Sequence, residues 1–269
     1  MSTLPSSSLA PLPVVRLASD IQSGSAVLWR SLLAMLLGLI ICGALMLVDA
    51  RQFNGVDVWD KPAKFFLALI VQMATVSWAL AQLPPGERAT PGISRAVWAM
   101  TAAAWAELLY ICFRAARAEA SHFNASSIFA QAAYGIMGLG AVTLTLSALF
   151  IGIRLWQRRG RGLMTEAAGV GLIIGMVLGT LAGAYVSAQT SHWVGGEMSD
   201  AHGLGFFSWS GTGGDLRVAH FIGLHAAQAV PFAALSGSRP VVYLVALACI
   251  ALTAFTFAEA VMGIPLFRI

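Results

Sequence analysis

The stretch SGTGGDLRVAHFIGLHAAQ, residues 210–228, leads from a glycine-rich turn into an apolar helix and carries Asp215, Arg217, His220, His225 and Gln228 with it. Asp215 stands where a carboxylate can accept from the first free N–H groups of that helix, so it is the expected N-cap. Arg217 falls in the first turn, where the helix dipole disfavours a cation; it needs an acid partner or a route to the interface. His220 and His225 point about 140° apart on a helix and cannot grip one metal as an i,i+4 pair would. A second polar stripe lies in AWAELLYICFRAARAEA, where Glu107, Tyr110, Arg114 and Arg117 recur at three- and four-residue steps along one face. Lys61 and Gln72 share a face of another apolar run, with Lys64 beside them. Glu259 follows Thr256 by about one turn near the C-terminus.

Several chemistries fit these residue types. Imidazole suits Zn, Cu and Fe, so His122, His192, His202, His220 and His225 are candidate metal ligands. Haem b held by two histidines would need them on facing helices, and His122 with His220 is the best pair. The echo of SHFN at 121–124 by SHWV at 191–194 sets His122 and His192 at one level. A polar site shared by both stripes would be lined by Glu107, Tyr110, Arg114, His220, His225 and Gln228, with Asp215, Arg217, Lys64 and Glu259 at its edge. In such a site Arg114 would neutralise a carboxylate.

The elements that must position these groups follow from composition. Of 269 residues, 58% are hydrophobic and 10% charged, where a soluble domain carries about 25% charged residues. Seven apolar runs near membrane-spanning length fall at about 27–49, 63–83, 94–118, 126–153, 163–187, 217–236 and 240–262. The expected fold is an all-α polytopic membrane protein, a bundle of about seven transmembrane helices occupying residues 27–269. Residues 1–26, rich in Ser and Pro, are expected to form a flexible tail, and 188–216 a long outer loop. Cys42, Cys112 and Cys249 all lie inside spans, which suits small packing residues rather than a disulfide framework.

Orientation follows from RLWQRRGRGLM, which carries Arg154, Arg158, Arg159 and Arg161 without an acid. Such a cluster stays cytoplasmic. The N-terminus is then inside, the C-terminus periplasmic, and the histidines outside or in the sixth span, if the protein sits in a bacterial inner membrane. The net charge of +4 comes with no basic, aromatic-interleaved patch that would suggest nucleic acid.

Gly171, Gly175, Gly179 and Gly183 repeat every four residues and form one smooth stripe. Small stripes let helices approach closely where lipid offers no hydrophobic drive. A neighbour within the chain is the expected partner; a second copy of the chain is the alternative. The span count is similar to that of the progestin/adiponectin-receptor and alkaline-ceramidase group of zinc hydrolases. That group places two histidines four apart on a late helix, and HFIGLH spaces them by five. Rhodopsin-like proteins carry a retinal-binding lysine in the last helix, and residues 240–262 contain none.

The leading expectation is a membrane protein that binds or transforms a small ligand from the periplasmic side at a His/Arg/Glu site, with Zn, Cu or haem b as the groups such ligands suit. A transporter or permease, and a ligand sensor or assembly partner, are the alternatives. The orientation has a direct check. With single cysteines introduced as His202→Cys and Arg159→Cys, an impermeant thiol reagent added outside the cell labels position 202 and leaves 159 unmodified; the reverse pattern inverts the topology.

Overall fold

The computed structural model describes residues 13–124, 126–189 and 191–268. Nine α-helices are present among them. Helix α1 covers Pro13–Gly24 and α2 Ala26–Met46. A two-stranded hairpin, β1 (Gln52–Phe53) and β2 (Val56–Asp57), leads into α3, Asp60–Ala81. The short α4 (Pro85–Arg88) precedes α5, Pro91–Ala116, and α6, Ile128–Gln157. Helix α7 is Leu163–Ala188. Strands β3 (Trp193–Val194) and β4 (Gly214–Asp215) pair antiparallel, and α8 (Leu216–Ala233) and α9 (Arg239–Val261) complete the chain. Seven of the helices are long and apolar enough to cross a membrane. They coincide with the seven runs seen in the sequence, and the protein is a multi-pass integral membrane protein.

The expectation of a flexible tail over residues 1–26 is corrected in part. Residues 1–12 lie outside the described residues, but Pro13–Gly24 is a helix packed on α3. Ser77 of α3 holds it: its hydroxyl donates to the Ile21 carbonyl at 2.6 Å and accepts from the Ser25 amide at 3.0 Å. Ser25 then caps α2 by accepting from Leu28 N. Arg88 adds a bond to the Ser23 carbonyl at 2.8 Å.

Helix α3 is the hub. It packs against α1, α2, α5, α6 and α7, and Met73, Val76 and Ala79 along it are fully buried beside Met35, Met100, Leu172 and Met176. The outward faces remain apolar. Leu37, Ile40 and Ile41 on α2, Ile136 and Leu139 on α6, and Leu244 and Leu247 on α9 are all exposed. A continuous apolar exterior on helices of this length is the surface a bilayer solvates.

The α7 glycines meet α8 within the chain. Gly171 lies against Pro231 and the Ala226 carbonyl, Gly175 against Ala227 and the Leu224 carbonyl, Gly179 against Leu224, and Gly183 against the His220 ring. The neighbour within the chain expected for the stripe is therefore α8, which meets all four glycines. A Cβ at position 175 would come within 2.9 Å of Ala227 N and the Leu224 carbonyl oxygen. Gly175→Leu therefore forces α7 and α8 apart and costs on the order of 1–3 kcal/mol or more. The expected outcome is a lower thermal unfolding midpoint in detergent for Gly175→Leu and Gly179→Leu, while Gly140→Leu, in a position with nothing near its added carbon, stays close to the parent.

Candidate functional site

Three of the five histidines and the densest set of charges gather at the end of the bundle formed by residues 47–59, 117–124 and 191–215. The hairpin turn at Asn54–Gly55 uses left-handed backbone at both residues, the geometry a two-residue hairpin demands. The Asn54 carbonyl accepts from Asp200 N at 3.1 Å, which docks the long loop onto the hairpin. The loop is therefore an ordered cap.

Its fastening is Arg217. The guanidinium meets the Asp215 carboxylate through two nitrogens, at 3.0 and 2.7 Å. It also meets Asp200 at 3.0 Å and donates to the Ser208 carbonyl at 2.7 Å. Asp215 is 3% exposed. It caps α8 by accepting from Arg217 N and also accepts from Ser210 N. The cation that the helix dipole disfavours is thus balanced by its own N-cap. Lys64 is satisfied separately, by Asp60 at 2.6 Å and the Ser208 hydroxyl at 2.9 Å.

A second cluster lies deeper. The loop after α5 sends His122 down into the bundle, where its Nε2 is 3.8 Å from Glu107 and its ring packs on Phe65 and Tyr134. The Ser121 hydroxyl bonds its Nδ1 at 3.0 Å. Lys61 lies within electrostatic reach of both Glu107 and Asp200. Among the described residues no carboxylate comes within ion-pair distance of its Nζ. The phenol hydroxyls of Tyr110 and Tyr134 are buried there and, among the described residues, without a partner.

The structure redistributes several expected site residues. Arg114 does not neutralise a carboxylate in a shared cavity. It bonds Glu119 at 2.8 Å and the Ala120 carbonyl at 3.0 Å, closing the loop that follows its own helix. The stripes of α5 and α8 do not form one chamber: α5 packs chiefly on α6 and α3, and α8 chiefly on α7 and α9. His220 binds the Gly179 carbonyl through Nδ1 at 2.8 Å, a cross-link between α7 and α8. His225 binds the Phe221 carbonyl one turn back at 2.7 Å and stacks on the Phe221 ring. Gln228 donates to Thr75 of α3 at 2.8 Å, and its Oε1 is buried without a partner among the described residues. Glu259 lines a small crevice with Asp215 and Thr256.

The five histidines do not converge. His122 packs on Phe65 and Tyr134, whereas His192 packs on Trp193 and Phe123, the latter at 6.3 Å. His202 is exposed, and His220 lies against α7 while His122 lies against α3, α5 and α6. Among the described residues no group of three His, Cys, Asp or Glu side chains is placed to hold a metal ion. Two partnerships had no visible sign in the sequence. Glu166, buried in the first turn of α7, takes Arg239 at 2.8 Å and the Tyr243 hydroxyl at 2.8 Å at the opposite end of the bundle. Asp200 is the second carboxylate of Arg217.

Comparison with family models, with curated proteins and with solved structures returned no match.

Burial holds the His122 imidazole well below its ordinary range, with Lys61 and His192 adding repulsion. His192 is pushed down to about 3, first by burial and then by Arg217, with Asp215 opposing. Burial raises the Asp200 carboxyl although Arg217 lowers it. The folded protein thus keeps both imidazoles neutral, whereas in an unfolded chain they protonate near about pH 6.5. Below that pH the unfolded state binds more protons, so this contribution to stability is complete above it and declines on acidification. The unfolding midpoint is expected to fall between pH 7.5 and about 5.5. The double variant His122→Asn, His192→Asn flattens that slope; an unchanged slope would show that other groups set it.

Proposed function

We propose that the protein is a bacterial inner-membrane protein with a cytoplasmic N-terminus, and that it binds or transforms a small polar ligand from the periplasmic side between Lys61 and Glu107. The observation that carries this reading is the separation of those two charges. An ionised side chain at the centre of a span costs about 2.5–3.5 kcal/mol on insertion scales; Glu107 lies well inside α5 and Lys61 in the first turn of α3, where burial rather than depth sets the cost. Arg217, Lys64 and Arg114 all obtain carboxylates at 3.0 Å or less. Lys61 and Glu107 do not pair with each other, Glu107 has the His122 ring at 3.8 Å, and the buried phenol hydroxyls of Tyr110 on α5 and Tyr134 on α6 have no hydrogen-bond partner among the described residues. A ligand with an anionic group for Lys61 and a donor for Glu107 would satisfy both.

A permease reading is supported by a further polar level. Gln72 and Thr75 on α3 and Gln228 on α8 lie further along the bundle, where Gln228 donates to Thr75 at 2.8 Å and its Oε1 has no partner among the described residues.

Thermal-shift measurements on detergent-purified protein distinguish binding from a structural role. Small carboxylates, amino acids and inorganic phosphate are the probes. A binder present at about a hundred times its Kd stabilises by about 2.7 kcal/mol. A probe that raises the parent midpoint should lose its effect in Lys61→Met and Glu107→Gln, with both variants folded. If no probe acts, or if the variants respond as the parent does, the site is structural. Uptake of an active probe into proteoliposomes would select the permease.

A further inference from the structure

An open cleft of ≈ 800 Å³ lies beside the buried cluster, where α5 ends and α6 begins. Its volume is within the range of small-molecule sites, and its two halves differ. One is cationic. Arg114 and Arg117 share a single carboxylate, Glu119, at 2.8 and 2.9 Å. Two guanidiniums and one carboxylate leave a net charge of +1. Arg114 is buried, while the Arg117 side chain is 56% exposed and, though it holds Glu119 through Nε and one terminal nitrogen, keeps its other terminal nitrogen for a ligand. Asn124 and Ser126 stand at the same rim, tied to each other and to the loop: the Ser126 hydroxyl donates to Asn124 Oδ1 at 2.6 Å and the Asn124 amide to the Ala120 carbonyl at 2.8 Å, so a ligand phosphate would draw the Ser126 hydroxyl away from Asn124. The other half is apolar: Phe113, Phe123 and Phe129 line it.

The cleft continues into the surface that faces lipid. Phe113 stands one turn above exposed Leu109 on α5, and Phe129 two turns from exposed Ile136 on α6. Because it lies at the ends of two spanning helices, it sits at the level of lipid headgroups. An occupant would therefore meet a cation and hydrogen-bonding groups at one end and aromatic rings leading into hydrocarbon at the other. A soluble anion uses only the first half, and a neutral apolar molecule only the second.

We propose that this cleft binds the anionic headgroup of a membrane phospholipid, with Arg117 on the phosphate, Ser126 beside it, and an acyl chain along Phe113 and Phe129. The site is independent of the Lys61–Glu107 reading, and either can fail alone.

Native mass spectrometry of the full chain in detergent tests it, with phosphatidylglycerol and phosphatidylcholine of identical chains as probes. The parent retains phosphatidylglycerol in preference to phosphatidylcholine. Arg117→Gln lowers phosphatidylglycerol retention about fivefold, the effect of one basic residue at a lipid surface, and leaves phosphatidylcholine unchanged. Arg117→Lys restores most of the preference. Ser126→Phe, which fills the cleft from its rim, lowers retention of both lipids and guards against a folding defect in the arginine variant. Equal retention of the two lipids by the parent, no effect of Arg117→Gln, or displacement of phosphatidylglycerol by millimolar inorganic phosphate would each overturn the proposal; the last would mark a simple anion site.

Discussion

The loop-bearing end of this protein depends on one guanidinium. Arg217 stands at the first turn of α8, the least favourable end of a helix for a cation, and its charge is balanced by residues from three places. Asp215 is its own helix cap, Asp200 comes from the middle of the long loop, and the Ser208 carbonyl from further along it. The same contacts fix the start of α8 and the path of the loop. The β3–β4 pair places Trp193 opposite Asp215, and Asp200 docks on the β hairpin through Asn54. Charge balance at a helix terminus and ordering of a cap are here a single event. A buried carboxylate that lost this arginine would be left uncompensated, which is far more costly than the pair is stabilising.

Helix packing follows a different rule. In lipid there is no hydrophobic drive between apolar helices, so contact depends on how closely backbones approach. The four glycines of α7 meet α8 along its length, and α8 in turn meets α9. The polar cross-links His220 to Gly179 and Gln228 to Thr75 bond α8 to α7 and to α3. They are the interhelical hydrogen bonds expected where a polar side chain has no water.

What the sequence disclosed divides along physical lines. The seven spans, the Asp215 cap, the need of Arg217 for a counter-charge and the close contact of the glycines with a neighbouring helix were legible, because each depends on local composition or on spacing along one helix. Partners were not. Spacing shows that Glu107, Tyr110 and Arg114 share a face but says nothing of what that face meets, so the expected union of the α5 and α8 stripes gave way to separate sets. Arg114 found a carboxylate five residues away instead of across the bundle. Glu166 was hidden for the same reason: its partners, Arg239 and Tyr243, lie on the last helix. Helix α1 was obscured by its Ser- and Pro-rich surroundings. A twelve-residue helix is marginal alone, and this one is held by docking onto Ser77.

The loop after α5 bends sharply, and its backbone is left-handed at Phe123, with φ of 56°. That conformation is strained for a bulky residue. It gives two consecutive side chains different neighbours around the Tyr134 ring, which both touch: His122 approaches Glu107, and Phe123 forms part of the wall of the cleft. The chain thereby brings an interior carboxyl and the membrane boundary to within two adjacent residues, a mechanical linkage whose length is a single peptide bond.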